Sequence, residues 1–176
     1  MNWTVDLTND SANDSANDSA IDSIREKVIM SAYNHVIVAV DLSAEAKQVT
    51  DRAAKLVAPD GRFCMVHVLQ PLDSIYLGES YGATAAQFQK IQDDMMVQAK
   101  QTLKELAAEY GCTEENQYLL VGNPAKEIHK LADDQSADVV VIGSHGRHGL
   151  SLLLGSTANS VLHGAGCDVL AVRIKE

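Results

Sequence analysis

The sequence predicts an α/β fold in which a single open five-stranded parallel sheet carries helices on both faces. Short apolar runs rich in β-branched residues alternate with segments of helical periodicity along the 176 residues. Because crossovers between parallel strands are right-handed, such a chain forms an open sheet that is covered on both sides. The length suits one compact domain with a substantial core.

The first strand is predicted at NHVIVAVD (34–41), because a nearly continuous apolar run is typical of a strand buried on both faces. Ser43 stands where the N-cap of a helix belongs. The residues at helical spacing after it are Ala46, Val49, Ala53, Leu56 and Val57. The second strand is predicted at RFCMVHVL (62–69), after the turn sequence PDG (59–61).

A long helix is predicted over residues 85–110, ended by Gly111. Its inner stripe comprises Phe88, Ile91, Met95, Ala99, Leu103 and Leu106 or Ala107. Met95 and Met96 are therefore interpreted as core residues. The stretch QPLDSIYLGESYGATA before this helix is too long for an ordinary connection, and it is predicted to form a lid or a partner surface.

The remaining elements are, in order, a strand over 116–122, a helix from Asn123 and Pro124, a strand over 137–143, a helix over 156–163 and a strand over 167–174. Asn123 is a good N-cap and Pro124 a good first helical residue. Asp41 ends the first strand and Gly143 ends the fourth, so both lie on the same rim of the sheet. Ligands of open parallel sheets bind at that rim.

Composition argues against several classes of partner. The sequence has 14 Lys and Arg residues and 24 Asp and Glu residues, and the resulting net charge of −10 repels nucleic acids and anionic lipid. No apolar run is long enough to cross a membrane or resembles a secretion signal, so a cytoplasmic protein is expected. Cys64, Cys112 and Cys167 form no C-x-x-C pair and are predicted to be reduced, buried thiols.

The first 31 residues differ from the rest in composition. Residues 9–20 repeat NDSA three times, and Asn and Asp side chains compete with helical hydrogen bonds while Ala offers little apolar surface. We therefore predict a disordered acidic low-complexity tail over 1–31 and a folded domain over 32–176. The tail is an extension without a packing role or, alternatively, a partner-binding arm.

The segment GSHGRHGLSLLLGST (143–157) predicts a phosphate site. Glycines recur at Gly143, Gly146 and Gly149, and glycine lets backbone N–H groups approach a ligand closely. The GST sequence at 155–157 opens a helix whose unpaired N–H groups and dipole favour an anion. Because both sets of donors lie on the ligand-binding rim, a phosphate chain is the expected guest, although each signal alone is also typical of a turn or a cap.

Other nucleotide motifs fit this segment less well. The spacing is G-x-x-G-x-x-G and follows the fourth strand, and no G-x-x-x-x-G-K-[ST] occurs, which disfavours dinucleotide dehydrogenases and P-loop hydrolases. His145 and His148 lie in a glycine loop and not at helical metal-ligand spacing. Ser156 lacks the G-x-S-x-G context of a nucleophile. His67 is interpreted as a hydrogen-bonded core residue.

Asp41 has three possible roles at this rim. Its carboxylate could accept a ribose hydroxyl, help to hold a divalent ion, or cap the helix that follows. The last strand raises a separate question, because an apolar edge strand is normally paired or guarded. Two copies pairing through 167–174 would cover it, and the alternative is an edge guarded by Arg173 and Lys175.

The segments HVIVAVDLS, VHVL, VGNPAKEI and DVVVIGSHGRHGLSLLLGSTANSVLHGAGCDVLAVR resemble the universal stress protein family, over about Tyr33 to Ile174. The resemblance implies a Rossmann-like sheet of the adenine nucleotide alpha hydrolase type and a homodimer joined through the last strands. It points to the ATP-binding branch, which is marked by G-x-x-G, nine residues, then G-[ST]. Here only eight residues (147–154) separate Gly146 from Gly155, which implies a weaker hold on phosphate or a different nucleotide.

The resemblance also implies which residues contact the nucleotide. They are Val40, Asp41, Val68, Gly143, His145, Gly146, Arg147, Gly155, Ser156 and Thr157. The Val68 backbone would meet the adenine, Val40 and Asp41 would lie by the nucleoside, and the others would lie by the ribose and the phosphates. Mg²⁺ could accompany the nucleotide through Asp41.

The function expected from these features is a cytoplasmic stress-response protein that binds ATP as a regulatory ligand and acts as a dimeric signalling or protective module. A donor loop without an evident catalytic base or lysine favours binding over catalysis. Two alternatives stay open. One is a slow ATPase or phosphoryl-transferring enzyme that uses Asp41 and a divalent metal. The other is an interaction module that binds no nucleotide.

Overall fold

The computed structural model describes residues 33–71, 85–144 and 154–174. The strands are β1 (Tyr33–Ala39), β2 (Val57–Leu69), β3 (Gln117–Val121), β4 (Val139–Gly143) and β5 (Asp168–Val172). The helices are α1 (Ala46–Ala54), α2 (Ala85–Glu109), α3 (Pro124–Asp134) and α4 (Ser156–Gly164), with a short 3-10 turn at Glu114–Asn116. The chain divides into two units, Met1–Ala32 and Tyr33–Glu176. The predicted tail and most of the predicted lid fall outside the described residues.

The predicted fold class is confirmed. All four strand pairings are parallel, and the strand order is β3-β2-β1-β4-β5. The chain moves outward from β1 to β3 on one side and from β4 to β5 on the other, so the order reverses between β1 and β4. Crevices at such a reversal are where open α/β sheets bind ligands.

The core consists of two layers, one on each face of the sheet. Val36 and Val38 of β1 face the layer that contains α1 and α2, whereas Ile37 and Ala39 face the layer that contains α3 and α4. Successive side chains of a strand point to opposite faces, so a central strand with both faces covered must be apolar throughout. This is the pattern seen in the sequence of β1.

The sequence misplaced two boundaries next to β1. Ser43 is not the N-cap of α1, which begins at Ala46 after Glu45 and has no side-chain cap. Val57 belongs to β2 and not to the helix. Ser43 instead donates to the Asp41 carboxylate in a local turn. The position of Val57 has a tertiary cause: Tyr33 N–H donates to the Leu56 carbonyl at 2.8 Å, which draws the chain into the sheet five residues earlier than the turn sequence suggested.

Helix α2 is buried only towards its carboxyl end. Ala99, Leu103, Leu106 and Ala107 are buried as predicted, but Ile91 is 47% exposed and Met95 is 37% exposed. The helix has 25 residues, about 37 Å, while β3 has only five, about 17 Å, so the first turns of α2 extend past the strand. No helix in the described ranges is long and apolar enough to cross a membrane.

The three cysteines are free. Cys64 and Cys112 are buried as predicted, and Cys167 is half-buried. Burial raises the pKa of the Cys112 thiol to about 11 and also raises the pKa of Cys64. Both thiols are therefore protonated at neutral pH, which makes them poor nucleophiles.

Candidate functional site

A cavity of about 660 Å³ lies at the carboxyl edge of the sheet. It is formed by the ends of β1, β2 and β4 and by residues of α1, α3 and α4. The volume falls within the roughly 300–1,000 Å³ typical of small-molecule sites. The cavity therefore coincides with the reversal of strand order.

Seven of the ten predicted contact residues line this cavity. They are Val40, Asp41, Val68, Gly143, Gly155, Ser156 and Thr157. They converge because the carboxyl ends of parallel strands meet at one edge and α4 starts at the same edge. His145, Gly146 and Arg147 lie outside the described residues, as does most of the eight-residue spacing, so their predicted contacts stay predictions.

Asp41 closes a turn at the end of β1. Its Oδ1 accepts hydrogen bonds from Ser43 N–H at 3.0 Å and from Ser43 Oγ–H at 2.7 Å. Between them Leu42 has φ 56°, a left-handed conformation that is uncommon for a branched residue. Because α1 starts only at Ala46, Asp41 does not cap that helix. Oδ2 accepts no hydrogen bond from the described part of the chain, so it can accept one from a ligand.

His67 is hydrogen-bonded as expected, but it also lines the cavity. Its Nδ1 lies 2.7 Å from the Val40 carbonyl oxygen. Because a carbonyl can only accept, Nδ1 must carry the proton. His67 was not predicted to line the site, nor were Gln70, Pro124 and Ile128, although the shared edge of the strands could have indicated all four.

Three helices, α1, α3 and α4, begin at the cavity, and only α3 has a side-chain cap. Asn123 Oδ1 accepts from Lys126 N–H at 3.1 Å, which confirms the predicted N-cap of α3. Helix α4 starts after Gly155 without a side-chain cap and without an acidic residue in its first turn. Its first N–H groups and the positive end of its dipole therefore favour an anion in the cavity.

The charge around this helix end is sparse. Among the described lining residues Asp41 is the only carboxylate, and none is Lys or Arg. No cluster of three or more His, Cys, Asp or Glu side chains that could hold a metal occurs in the described ranges. Asp41 is therefore the one carboxylate that the described lining offers to a metal ion.

A second cavity, of about 600 Å³, lies at the opposite edge of the sheet between residues 60–63 and 111–116. Arg62 lines it, but its guanidinium already donates to Asn116, Gln135 and Tyr118 at 2.8 to 3.0 Å. This edge holds the amino ends of β2 and β3, whereas ligands of this architecture bind at the carboxyl ends. The first cavity is therefore the candidate functional site.

Known proteins resemble the chain over this whole region. The model of the Universal stress protein family matches residues 32–173. Universal stress protein A homolog 2 of Coxiella burnetii is 37% identical over 148 residues, 83% of this chain and 99% of that protein. Homolog 1 of the same organism is 38% identical over 146 residues, 82% and 99% of the two chains.

Solved structures show the same fold. Universal stress protein UspA from Lactobacillus plantarum is 20% identical with a TM-score of 0.64, and the match covers 81% of this chain and 99% of that one. A universal stress protein in complex with cAMP is 26% identical with a TM-score of 0.54, and the match covers 82% and 100%. The likeness therefore extends over complete domains and not over one motif.

Proposed function

The chain belongs to the universal stress protein family, and we propose that it binds ATP in the cavity at the carboxyl edge of its sheet. In this proposal the nucleotide regulates a cytoplasmic, dimeric stress-response module. The observation that carries the proposal is the convergence of the Asp41 carboxylate and the uncapped amino end of α4 on one cavity. The similar structure in complex with cAMP supports an adenine nucleotide as the class of ligand.

The phosphates belong at the amino end of α4. Backbone N–H groups of Ser156 and Thr157 and the two hydroxyl groups supply donors there, whereas Gly155 N–H already donates to the Ser144 carbonyl at 2.7 Å. Since the described lining holds no Lys or Arg, these donors need help with the charge of a triphosphate. We expect that help from Arg147 and from Mg²⁺ bound mainly by phosphate oxygens.

The nucleoside belongs between β1 and β2. Asp41 is suited to accept a ribose hydroxyl, because one carboxylate oxygen is held by Ser43 and the other is open to a ligand. Apolar side chains such as Val49 and Ile128 line the same cavity and suit the faces of a base. The Val68 backbone lies within reach of the edge of that base.

A regulatory role is favoured over catalysis. The titratable side chains in the described lining are Asp41 and His67. Asp41 is hydrogen-bonded within its own turn, and His67 is hydrogen-bonded to the Val40 carbonyl at the end of the neighbouring strand. A slow ATPase that uses Asp41 and a divalent metal is the second candidate. Steady phosphate release that Asp41→Asn abolishes would favour the enzyme.

Protein purified from cells and then denatured is expected to release an adenine nucleotide, which chromatography of the supernatant detects. Nucleotide-free protein is expected to bind added ATP with measurable heat on titration. Absence of both would contradict the proposal and favour the interaction module that binds no nucleotide. Titration with cAMP beside ATP identifies the preferred adenylate.

The dimer is proposed to form through residues 167–174. Strand β5 is an edge of the sheet, and Leu170 is 38% exposed on it. Such an edge is normally covered or guarded, and a two-fold axis would pair it with its copy.

Leu170→Glu is expected to raise the dimer dissociation constant at least about tenfold, because it places two buried like charges across the axis. Light scattering coupled to gel filtration measures the change. Val97→Glu is the matched control, because Val97 is 70% exposed on α2. A Leu170→Glu variant as dimeric as this control would refute pairing through β5.

A further inference from the structure

The backbone hydrogen-bond ladder between β1 and β2 stops at Val40, one bond before Val68 would pair with it. Val40 N–H donates to the Val66 carbonyl at 2.9 Å. In a parallel ladder the next bond would run from Val68 N–H to the Val40 carbonyl. That bond is not made between these two described residues. The Val40 carbonyl instead accepts from His67 Nδ1–H at 2.7 Å.

The backbone of Val68 therefore faces a place where β1 no longer pairs with it. The backbone N–H and C=O groups of alternate residues in a strand point to the same neighbouring strand. Those of Val68 therefore point towards β1, as those of Val66 do. Leu69 faces the other side, because its carbonyl accepts from Gly122 N–H at 2.9 Å. Val68 also lines the cavity. A backbone donor of a sheet that no other described residue pairs is rare, and here it lies at the wall of a ligand site.

We infer that His67 is a positioning residue that selects the base. By engaging the Val40 carbonyl, it keeps Val68 N–H available to the edge of a purine. The Val68 carbonyl beside it accepts no backbone hydrogen bond from the described residues, because the chain turns at Leu42 (φ 56°). The choice of a purine rests on the proposed function, whereas the hydrogen-bond arrangement does not. A donor beside an acceptor matches adenine, which carries an acceptor ring nitrogen next to its N6 donor. Guanine carries the acceptor O6 in that place.

Amide hydrogen exchange in the nucleotide-free protein tests the arrangement itself. In His67→Leu the Val40 carbonyl loses its partner, so Val68 N–H is expected to complete the ladder and to exchange at least about tenfold more slowly. His67→Asn is expected to exchange like the wild type, because its amide nitrogen stands near the position of Nδ1. His67→Gln places its amide nitrogen farther out and serves as the matched control that behaves like leucine.

Titration with ATP and with GTP tests the consequence for the ligand. The wild type is expected to prefer ATP to GTP. His67→Leu is expected to bind ATP about tenfold more weakly, which corresponds to the loss of one hydrogen bond, and to lose most of the preference for ATP. His67→Asn restores both. If His67 had a merely structural role, its substitution would weaken the binding of ATP and GTP equally, and His67→Asn would restore affinity no better than His67→Gln.

The two measurements separate this inference from the proposed function. If the wild type binds neither nucleotide, the proposed function fails, and the exchange rate of Val68 alone decides the role of His67. Unchanged Val68 exchange in His67→Leu overturns the inference, whatever the nucleotides do. Slower exchange with an unchanged preference for ATP overturns its extension to the base.

Discussion

Asp41→Asn is expected to weaken ATP binding by about 10- to 150-fold, because a hydrogen bond to a charged group contributes roughly 1.5–3 kcal/mol. The asparagine oxygen can still accept both hydrogen bonds from Ser43, so the turn that holds Leu42 in its left-handed conformation persists. The variant therefore loses the charge and keeps the fold. Calorimetric titration measures the affinity, and thermal unfolding checks that the variant is as stable as the wild type.

The ligand itself supplies the control for this substitution. If Asp41 accepts a ribose hydroxyl, the wild type prefers ATP to 2′,3′-dideoxy-ATP and Asp41→Asn shows no preference. If Asp41 holds Mg²⁺ instead, the loss depends on Mg²⁺ and not on the ribose. Undiminished ATP affinity in Asp41→Asn would remove this residue from the site.

Ile37→Ala is expected to lower the free energy of unfolding by about 2–5 kcal/mol. Ile37 is 0% exposed and lies on the central strand, where it packs in the layer formed by α3 and α4. Truncation leaves a cavity between the sheet and those helices that the rigid strand cannot close. Urea denaturation measures the loss as a lower midpoint with an unchanged slope.

Ile91→Ala is the matched control, because it makes the same chemical change at a residue that is 47% exposed. It lies in α2, where alanine is also the better helix former, so the expected change is within about 0.5 kcal/mol. Equal losses at the two positions would contradict the assignment of β1 to the centre of the sheet.

The strands could be predicted from the sequence because burial on both faces leaves a local signal. The runs around Val38 and Val141 are apolar at every position, and both residues are 0% exposed. The cap at Asn123 and the stop at Gly111, with φ 65°, are likewise properties of one or two residues. These elements, whose cause lies within a few residues, were predicted correctly. The N-cap at Ser43 is a local signal that failed, because its hydroxyl donates to Asp41 and α1 begins only at Ala46.

The errors at Val57, Ile91 and Met95 arose where a distant segment decides the structure. Val57 has helical spacing to Ala53, but the bond from Tyr33 to Leu56 places it in β2. Ile91 and Met95 continue the apolar stripe of α2, yet they lie towards the end of the helix that extends past the short β3 and are 47% and 37% exposed. The local sequence of α2 gives no information about the length of β3, which comes later in the chain.

The candidate site shows the same division. The shared carboxyl edge of parallel strands was enough to place Asp41 near Gly143 and Gly155. The role of His67 could not be predicted, because its hydrogen bond to Val40 joins residues 27 positions apart at the end of a strand. A histidine in an apolar strand has the same sequence pattern whether it lies in the core or at the wall of a cavity.

Amide chemical shifts, followed while the nucleotide-free protein is titrated with Mg²⁺-ATP, test directly whether the nucleotide binds in the cavity at the carboxyl edge of the sheet. We expect the largest shifts on the amides of Val68, Gly143 and Gly155–Thr157, which lie on separate elements around one cavity. Shifts confined to the opposite edge of the sheet, around residues 60–63 and 111–116, or no shifts at all, would contradict this expectation.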